Sequence, residues 1–205
     1  FLIKICFNYW NMKKKEIISI AGTLGSGKSS TANLVAKALD FKRFSAGDFF
    51  RKIGLDLGIS LNEVSKRAET DPEIDIRTDD EVRKVGEMSK VVIDSRMAFH
   101  FIPESFKIYL DLPPDIAKDR ILTNLKENAL RKESEGSATP EEIYEKIVSR
   151  LDSEKKRYKG LYGVTHTDKS NYDLVIDTNK NNLEQVVDII VSEYTKWNNN
   201  TLDSA

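Results

Sequence analysis

Short apolar runs alternate with amphipathic stretches along most of the chain. The apolar runs are rich in Val, Ile, Leu and Phe, and they predict five strands, at residues 16–21, 41–45, 91–94, 106–112 and 172–177. Helical spacing of apolar residues predicts helices at 28–39, 47–56, 60–69 and 71–89, from 113 on, from 139 to about 158, and at 182–197. Strands that alternate with helices predict an α/β fold, with a five-stranded parallel sheet flanked by helices on both faces.

Two segments are too long and too charged to be simple crossovers between strands. Residues 45–89 place two or three helices between strands, and residues 126–168 contain no predicted strand. Helix starts within these segments carry capping boxes, Ser60 with Glu63 and Thr139 with Glu142. Because open α/β sheets bind ligands at the carboxyl ends of their strands, both segments are expected to be inserts over a site there.

The segment GTLGSGKSS at residues 22–30 joins the first strand to the first helix. It has the phosphate-binding loop pattern of glycine, four residues, then Gly-Lys-Ser, and it lies in the strand–loop–helix context that this pattern needs. Glycines let backbone N–H groups point at a polyphosphate, and the helix N-terminus adds positive partial charge. The pattern places Lys28 at the outer phosphates and the Ser29 hydroxyl on Mg²⁺. The predicted ATP-binding residues of the loop are Gly22, Gly25, Ser26, Gly27, Lys28, Ser29 and Ser30.

Composition limits the partners and the compartment. The formal net charge is −1, so the chain lacks the basic field of proteins that bind nucleic acid. Cys6 is the single cysteine, so no internal disulfide can form, which favours a reducing cytoplasm. No Cys/His cluster indicates a structural metal. A length of 205 residues suits one domain, and we expect a monomer without a membrane partner.

The two ends of the chain differ in character from its middle. Residues 1–11, FLIKICFNYWN, are apolar and aromatic but too short to span a bilayer. Because Met12 followed by KKKEIISIA is typical of a natural start, we expect residues 1–11 to be an extension; the alternative is a short segment that packs on the sheet or on a partner. Residues 198–205 are polar and are expected to form a frayed tail.

Basic residues stand where a phosphoryl-transfer site would need cations. Arg51 lies on the helix after the second strand, Arg96 directly follows the third, and Arg150 and Arg157 lie two helical turns apart on the second insert. Each alone is also compatible with a solvated surface charge. Together they predict stabilisation of the charge that phosphoryl transfer spreads over phosphate oxygens. Asp94 ends the third strand and either holds a magnesium-bound water, positions the acceptor, or is a turn residue.

These segments together resemble the nucleoside monophosphate kinases, in particular the short, archaeal-like cytidylate kinases. The resemblance covers residues 15–195, and SAGDFFR combined with DPEID and RYKGLYG is its most specific part. It rests on ISIAGTLGSGKSS, FSAGDFFRKIGLDLGISL, DPEIDIRTDDE, VVIDSRM, KIYLDLPPDIAKDRI, SRLDSEKKRYKGLYGV and YDLVIDT. It implies one P-loop kinase domain over residues 1–205, with an acceptor-binding insert at 45–89 and a lid at 126–160. The implied reaction is Mg²⁺- and ATP-dependent phosphorylation of a nucleoside monophosphate, first of all CMP or dCMP.

The resemblance also implies roles for single residues. Arg120 is expected to lie against the donor base. Arg51 and Arg96 are expected to hold the acceptor phosphate, and Arg150 and Arg157 to be the arginines of the closing lid. With the residues indicated by the loop pattern, the strand ends and the helix spacing, the predicted acceptor-binding set is Ser45, Gly47, Arg51, Arg96, Asp75 and Asp79, and the predicted catalytic set is Lys28, Asp94, Arg150 and Arg157. One departure is Ser95, which stands where the family usually has glycine between the acidic residue and the arginine. MAFHFIP at 97–103 is another departure, and there His100 is expected to be a packing residue, whereas His166 in a polar loop is expected to be exposed.

Base selection is the least determined property. Asp75 and Asp79 are four residues apart and therefore share a helix face. A carboxylate can accept from the exocyclic amino group of cytosine, whereas the carbonyl of uracil at that position would be repelled. The alternative is that both carboxylates are solvated or pair with Arg77, Arg83 or Lys84. AMP, another nucleotide or a small metabolite remain possible acceptors.

Two other classes of protein share a phosphate-binding loop. A nucleotide-dependent switch usually carries Asp-x-x-Gly, and none of the ten glycines has an aspartate three positions before it. Guanine-binding Asn-Lys-x-Asp is also missing, because Asn179-Lys180-Asn181 is followed by Asn182. An inactive scaffold or RNA-associated module is disfavoured by the full set of arginines and the near-neutral charge.

Overall fold

The structure is a computed structural model that describes residues 16–127 and 139–202, and it contains a five-stranded parallel sheet flanked by helices. The strand order is β2-β3-β1-β4-β5, with every neighbouring pair parallel. The strands are β1 (Ile17–Gly22), β2 (Lys42–Ser45), β3 (Val91–Asp94), β4 (Phe106–Asp111) and β5 (Leu174–Asp177). The predicted fold class and all five predicted strands are confirmed.

The helices follow the predicted order, with boundaries that differ by a few residues. They are α1 (Lys28–Leu39), α2 (Ala46–Leu57), α3 (Leu61–Arg67), α4 (Glu73–Val85), α5 (Ala98–Phe101), α6 (Pro114–Glu127), α7 (Pro140–Tyr162) and α8 (Leu183–Leu202), with a 3₁₀ turn at Lys169–Asn171. Both capping boxes are confirmed, at the starts of α3 and α7. The short helix α5 was not predicted. No helix in the described ranges is long and apolar enough to cross a membrane.

Several predicted segments lie wholly or partly outside the described residues. The predicted extension at 1–11, residues 128–138 of the predicted lid with Gly136, and residues 203–205 lie outside the described residues. A frayed tail was predicted from residue 198, and in the structure α8 continues to Leu202. NNNTL contains neither glycine nor proline, so no residue there stops the helix.

The alternation of side chains along β1 divides the core into two layers. Ile18 and Ile20 face one side of the sheet, where they pack with residues of α1 and α8 such as Val35 and Ile190. Ile17 faces the other side and packs with residues of α4 and α5. Helices on both faces therefore leave the carboxyl edge of the sheet as the place where loops and inserts meet.

The last residue of β1, Gly22, leaves no space for a side chain. At Gly22, with φ +145°, a Cβ atom would lie 2.5 Å from the carbonyl oxygen of Leu110 on β4 and 2.8 Å from Ser26 Oγ. Glycine lets the turn after β1 lie directly against the neighbouring strand. The phosphate-binding loop is thereby fixed at the sheet edge where β2 and β3 also end, since Ser45 is in register with Asp94.

Candidate active site

The glycine loop forms a compact turn that opens onto the N-terminus of α1. Gly25 and Gly27 have left-handed backbone, with φ +79° and +85°. The Lys28 ammonium donates to the Thr23 carbonyl at 2.6 Å, which folds the lysine back over the loop. No side chain in the described ranges caps α1, and Ser29 and Ser30 are exposed in its first turn. The backbone N–H groups in the first turn of α1 are therefore available to an anion, as the glycine pattern predicted.

Lys28 is partly withdrawn from water and lies among charges of both signs. Burial and the neighbouring Arg96 guanidinium lower the pKa of Lys28 to about 7, although the Glu154 and Asp94 carboxylates oppose this. An ammonium that is poorly hydrated and faces other cations gains more from a bound anion than one in water. The electrostatics of the loop therefore favour a polyanionic ligand.

Asp94 ties the end of β3 to the end of β2. Its side chain is buried, and it accepts from Ser45 Oγ at 2.7 Å and from Arg43 Nη2 at 2.6 Å. Arg43 also pairs with Asp48 at 3.2 Å. Sequence reasoning missed Arg43, whose partner lies 51 positions away along the chain. Both Asp94 oxygens accept within the protein, so the structure fits the positioning alternative better than the magnesium-water alternative.

The structure brings together three of the residues predicted at the acceptor side. A Cβ atom on Gly47 would lie 3.4 Å from Ser45 Oγ and 3.6 Å from Arg51 Nη1, so the Arg51 guanidinium folds over this glycine. Arg51 pairs with Asp48, and its side chain is 55% exposed. Arg51 and Arg96 were predicted to act together, but they contact different carboxylates, those of Asp48 and Glu154.

Helix α7 adds a buried carboxylate that the sequence reasoning missed. Glu154 is 5% exposed and lies between two arginines. Arg96 Nε is 2.5 Å from Glu154 Oε2, and Arg150 Nε donates to Glu154 Oε1 at 2.9 Å. Burial raises the pKa of Glu154, but the Arg96 and Arg150 guanidiniums outweigh burial and hold it below its usual value. Its i+4 spacing from Arg150 was the available sequence signal.

Asp75 and Asp79 both face α7 from α4. Asp75 accepts from Arg157 Nε at 2.8 Å, and Asp79 accepts from the Tyr162 hydroxyl at 2.7 Å. Both carboxyls are buried, at 3% and 4% exposure. Burial raises the pKa of Asp75 against the opposing Arg157 charge, and burial together with Asp75 raises that of Asp79 to about 7 against the Tyr162 bond.

The prediction of a shared helix face is confirmed, and the alternative of solvated or locally paired carboxylates is wrong. The basic residues expected to pair with them have other partners among the described residues. Arg77 pairs with Asp56, Arg83 with Asp80, and Lys84 with Glu81. Local spacing could not show this, because the true partners lie on α7, 82 and 83 positions away.

Helix α6 packs against the other side of the loop. A Cβ atom on Gly25 would be 3.2 Å from Ala117 Cβ on this helix. One turn further on, Arg120 donates through Nη1 to Thr178 Oγ1 at 3.4 Å and through Nη2 to the Thr178 carbonyl. Arg120 therefore lies at the end of β5, on the side of the loop opposite to Arg51 and Asp94.

The two histidines and Ser95 differ in how well they were predicted. His166 was expected to be exposed, which is wrong, because only 3% of it is exposed. After α7 the chain turns back toward the sheet, and the Tyr172 hydroxyl donates to the His166 carbonyl at 2.6 Å. His100 is exposed, but its ring contacts Phe101 and Tyr162, as expected for a packing residue. The Ser95 hydroxyl accepts from the Met97 N–H at 3.2 Å, just before α5 begins.

Comparisons with known proteins give consistent results. The AAA domain family model matches residues 18–141. A cytidylate kinase of Methanosarcina barkeri is 33% identical over 84% of this chain and 93% of its own length, and one of Pyrococcus abyssi is 35% identical over 85% and 91%. An S-adenosylmethionine-dependent nucleotide dehydratase of Lacinutrix mariniflava is 31% identical over 90% of this chain, which spans only 37% of that protein.

Two solved structures show the same fold at low sequence identity. Shikimate kinase from Acinetobacter baumannii has a TM-score of 0.59 at 14% identity, covering 89% of this chain and 94% of that one. A gluconokinase from Sinorhizobium meliloti has a TM-score of 0.58 at 13% identity, covering 94% and 98%.

Proposed function

The chain belongs to the cytidylate kinase family of nucleoside monophosphate kinases, and from this premise we propose that it transfers the γ-phosphoryl group of ATP to CMP or dCMP. One observation carries the proposal beyond family membership: Arg96 and Arg150 converge on a single carboxylate close to Lys28. Three cations gathered at the carboxyl edge of a parallel sheet suit a group whose negative charge is spread over several oxygens.

The proposed transfer uses the residues of the loop and of α7. The bond between the γ-phosphorus and the bridging oxygen of ATP breaks, and a phosphate oxygen of the acceptor forms the new bond, so ADP leaves. Lys28 and the arginines stabilise the equatorial oxygens, and the N-terminus of α1 holds the phosphates that remain with ADP. Asp94 positions Ser45 and Arg43 beside the acceptor.

The loop fits a magnesium ion that is held mainly by its ligand. No cluster of three or more acidic, histidine or cysteine side chains occurs in the ranges that the structure describes. Mg²⁺ typically keeps several waters and binds one or two protein groups plus substrate phosphates. The exposed Ser29 hydroxyl in the first turn of α1 supplies such a protein group. When bound, the ion would neutralise phosphate charge.

Arg96 is proposed to bind the acceptor phosphate through its planar guanidinium, with Arg51 at the rim. Lysine at position 96 would keep the charge but lose the fork geometry. We therefore expect Arg96→Lys to raise the Michaelis constant of the acceptor far more than that of ATP. Steady-state kinetics with each substrate varied in turn checks this, with Arg67→Lys on the exposed face of α3 as control. Equal effects of Arg96→Lys on both constants would contradict the acceptor role.

Asp75 and Asp79 are proposed to select the base. Both are buried carboxyls on the insert expected to cover the acceptor, and a carboxylate can accept from the amino group of cytosine. Asp75→Asn and Asp79→Asn should lower the ratio of catalytic efficiencies for CMP over UMP. Asp80→Asn is the matched control, because Asp80 is the exposed neighbour that pairs with Arg83. If neither variant changes the ratio, the base is read elsewhere.

Residues 126–160, of which α7 forms the larger described part, are proposed to be the lid, and residues 45–89 the acceptor insert. The contacts that join them are Arg157 with Asp75, Tyr162 with Asp79 and Ser153 with Glu69. Hydrogen exchange should show added protection of residues 139–162 when a bisubstrate analogue binds, because closure excludes water. Equal exchange with and without the analogue would refute lid closure. We also expect the enzyme to be monomeric and cytoplasmic.

A further inference from the structure

Glu154 is a buried carboxylate for which the proposed phosphoryl transfer has no use. Its two oxygens contact Arg96 and Arg150, at 2.5 Å and 2.9 Å. It also interacts by charge with Lys28. The carboxylate thus lies among the three cations to which the proposed function assigns phosphate oxygens.

A carboxylate and a phosphate bind guanidinium groups with the same charge-assisted hydrogen bonds. They therefore compete for Arg96 and Arg150. We propose that Glu154 is an internal competitor of the substrate phosphates. Its carboxylate holds both arginines in the phosphate subsite, and phosphate oxygens replace this carboxylate on the arginines when nucleotide binds. The inference rests on the proposed function only in assigning phosphate to this subsite.

There is also a structural reason for a carboxylate at position 154. Arg96 is largely buried, with 17% of its side chain exposed, and a buried charge without a partner is strongly destabilising. Glu154 supplies that partner from α7, so the ion pair joins the proposed lid to the end of β3. Exchange of the carboxylate for phosphate therefore links phosphate binding to the position of α7.

His166 is the group suited to receive the displaced carboxylate. Its buried Nδ1 has no hydrogen-bond partner within the described part of the chain, and its ring packs edge-on against Tyr158, one turn after Glu154. Glu154 also interacts by charge with His166. A neutral imidazole N–H can donate to a carboxylate, so the exchange needs no proton transfer. The charges of Arg96, Lys155 and Lys28 also act on this ring.

Calorimetric titration with inorganic pyrophosphate tests the competition. Glu154→Gln should bind pyrophosphate about tenfold more tightly than the wild type, which corresponds to about 1.4 kcal/mol, because pyrophosphate no longer has to displace a charged competitor from the two arginines. Glu145→Gln, an exposed position on the same helix, should leave the affinity unchanged. Unchanged or weaker binding by a folded Glu154→Gln variant would overturn the inference.

A second measurement follows the protein with Glu154 in place and does not depend on a Glu154 variant folding. The chain has only two histidines, so their imidazole signals can be assigned by NMR from single His→Gln variants. Pyrophosphate should shift the His166 signal more than that of His100, and no shift at His166 would contradict the exchange. Pyrophosphate carries no base, so its binding does not depend on which nucleoside monophosphate is the acceptor. Failure of CMP turnover would therefore overturn the proposed substrate, whereas the pyrophosphate experiments would still test the competition by Glu154.

Discussion

Replacing Lys28 with alanine should lower turnover by about 10²-fold or more, the scale expected when a group that stabilises transition-state charge is lost. Lys28 lies in the glycine loop with its ammonium on the Thr23 carbonyl. It also lies close enough to Arg96 and Glu154 for their charges to affect its pKa. Steady-state ADP release measures the effect. Lys37→Ala is the matched control, because Lys37 is an exposed lysine of α1, the helix that begins at Lys28. Near-normal turnover of Lys28→Ala would contradict its role.

The pKa of Lys28 adds a pH signature to this prediction. Because the pKa is lowered to about 7, part of the population carries a neutral Lys28 above that pH before nucleotide binds. Polyphosphate binds the charged form, so binding takes up a proton and the apparent ATP affinity should fall as the pH rises above about 7. This pH dependence should be absent in Lys28→Ala and retained in Lys37→Ala.

Gly22→Ala should destabilise the fold by about 2–5 kcal/mol, because overpacking costs about 1–3 kcal/mol and a strained backbone conformation a similar amount. The added methyl would meet the Leu110 carbonyl at 2.5 Å, and φ is +145°. Chemical denaturation measures the free energy of unfolding. Gly160→Ala on α7 is the control, since nothing lies within 4 Å of its Cβ position, and it should stabilise by about 0.5–1 kcal/mol. Wild-type stability of Gly22→Ala would contradict the close packing at the end of β1.

The parts of the molecule that depend on local sequence were predictable. The loop between β1 and α1 was recognised because its glycines, lysine and serine are consecutive and flanked by a strand and a helix. The capping boxes of α3 and α7 were recognised for the same reason, since both partners lie within one helical turn. The parallel direction of the five strands followed from the alternation of strands with helices.

The parts that depend on contacts between distant segments were not predictable. Arg43 has no signal in the sequence and Glu154 has only its i+4 spacing from Arg150, and only the fold places them against Asp94 and Arg96. His166 was misjudged because its polar neighbours Thr165 and Thr167 suggest a solvated loop, whereas the chain there returns to the sheet. A single sequence gives the spacing of such residues but not the element that will cover them.

A coupled assay of ADP release over CMP, dCMP, UMP, AMP, GMP and shikimate tests most directly whether this chain phosphorylates CMP or dCMP. We expect ATP turnover that depends on an added acceptor, with the highest catalytic efficiency for CMP or dCMP. Preference for AMP or UMP would contradict the cytidylate specificity while leaving a nucleoside monophosphate kinase. Slow ATP hydrolysis that no acceptor accelerates would contradict phosphoryl transfer to an acceptor at this site.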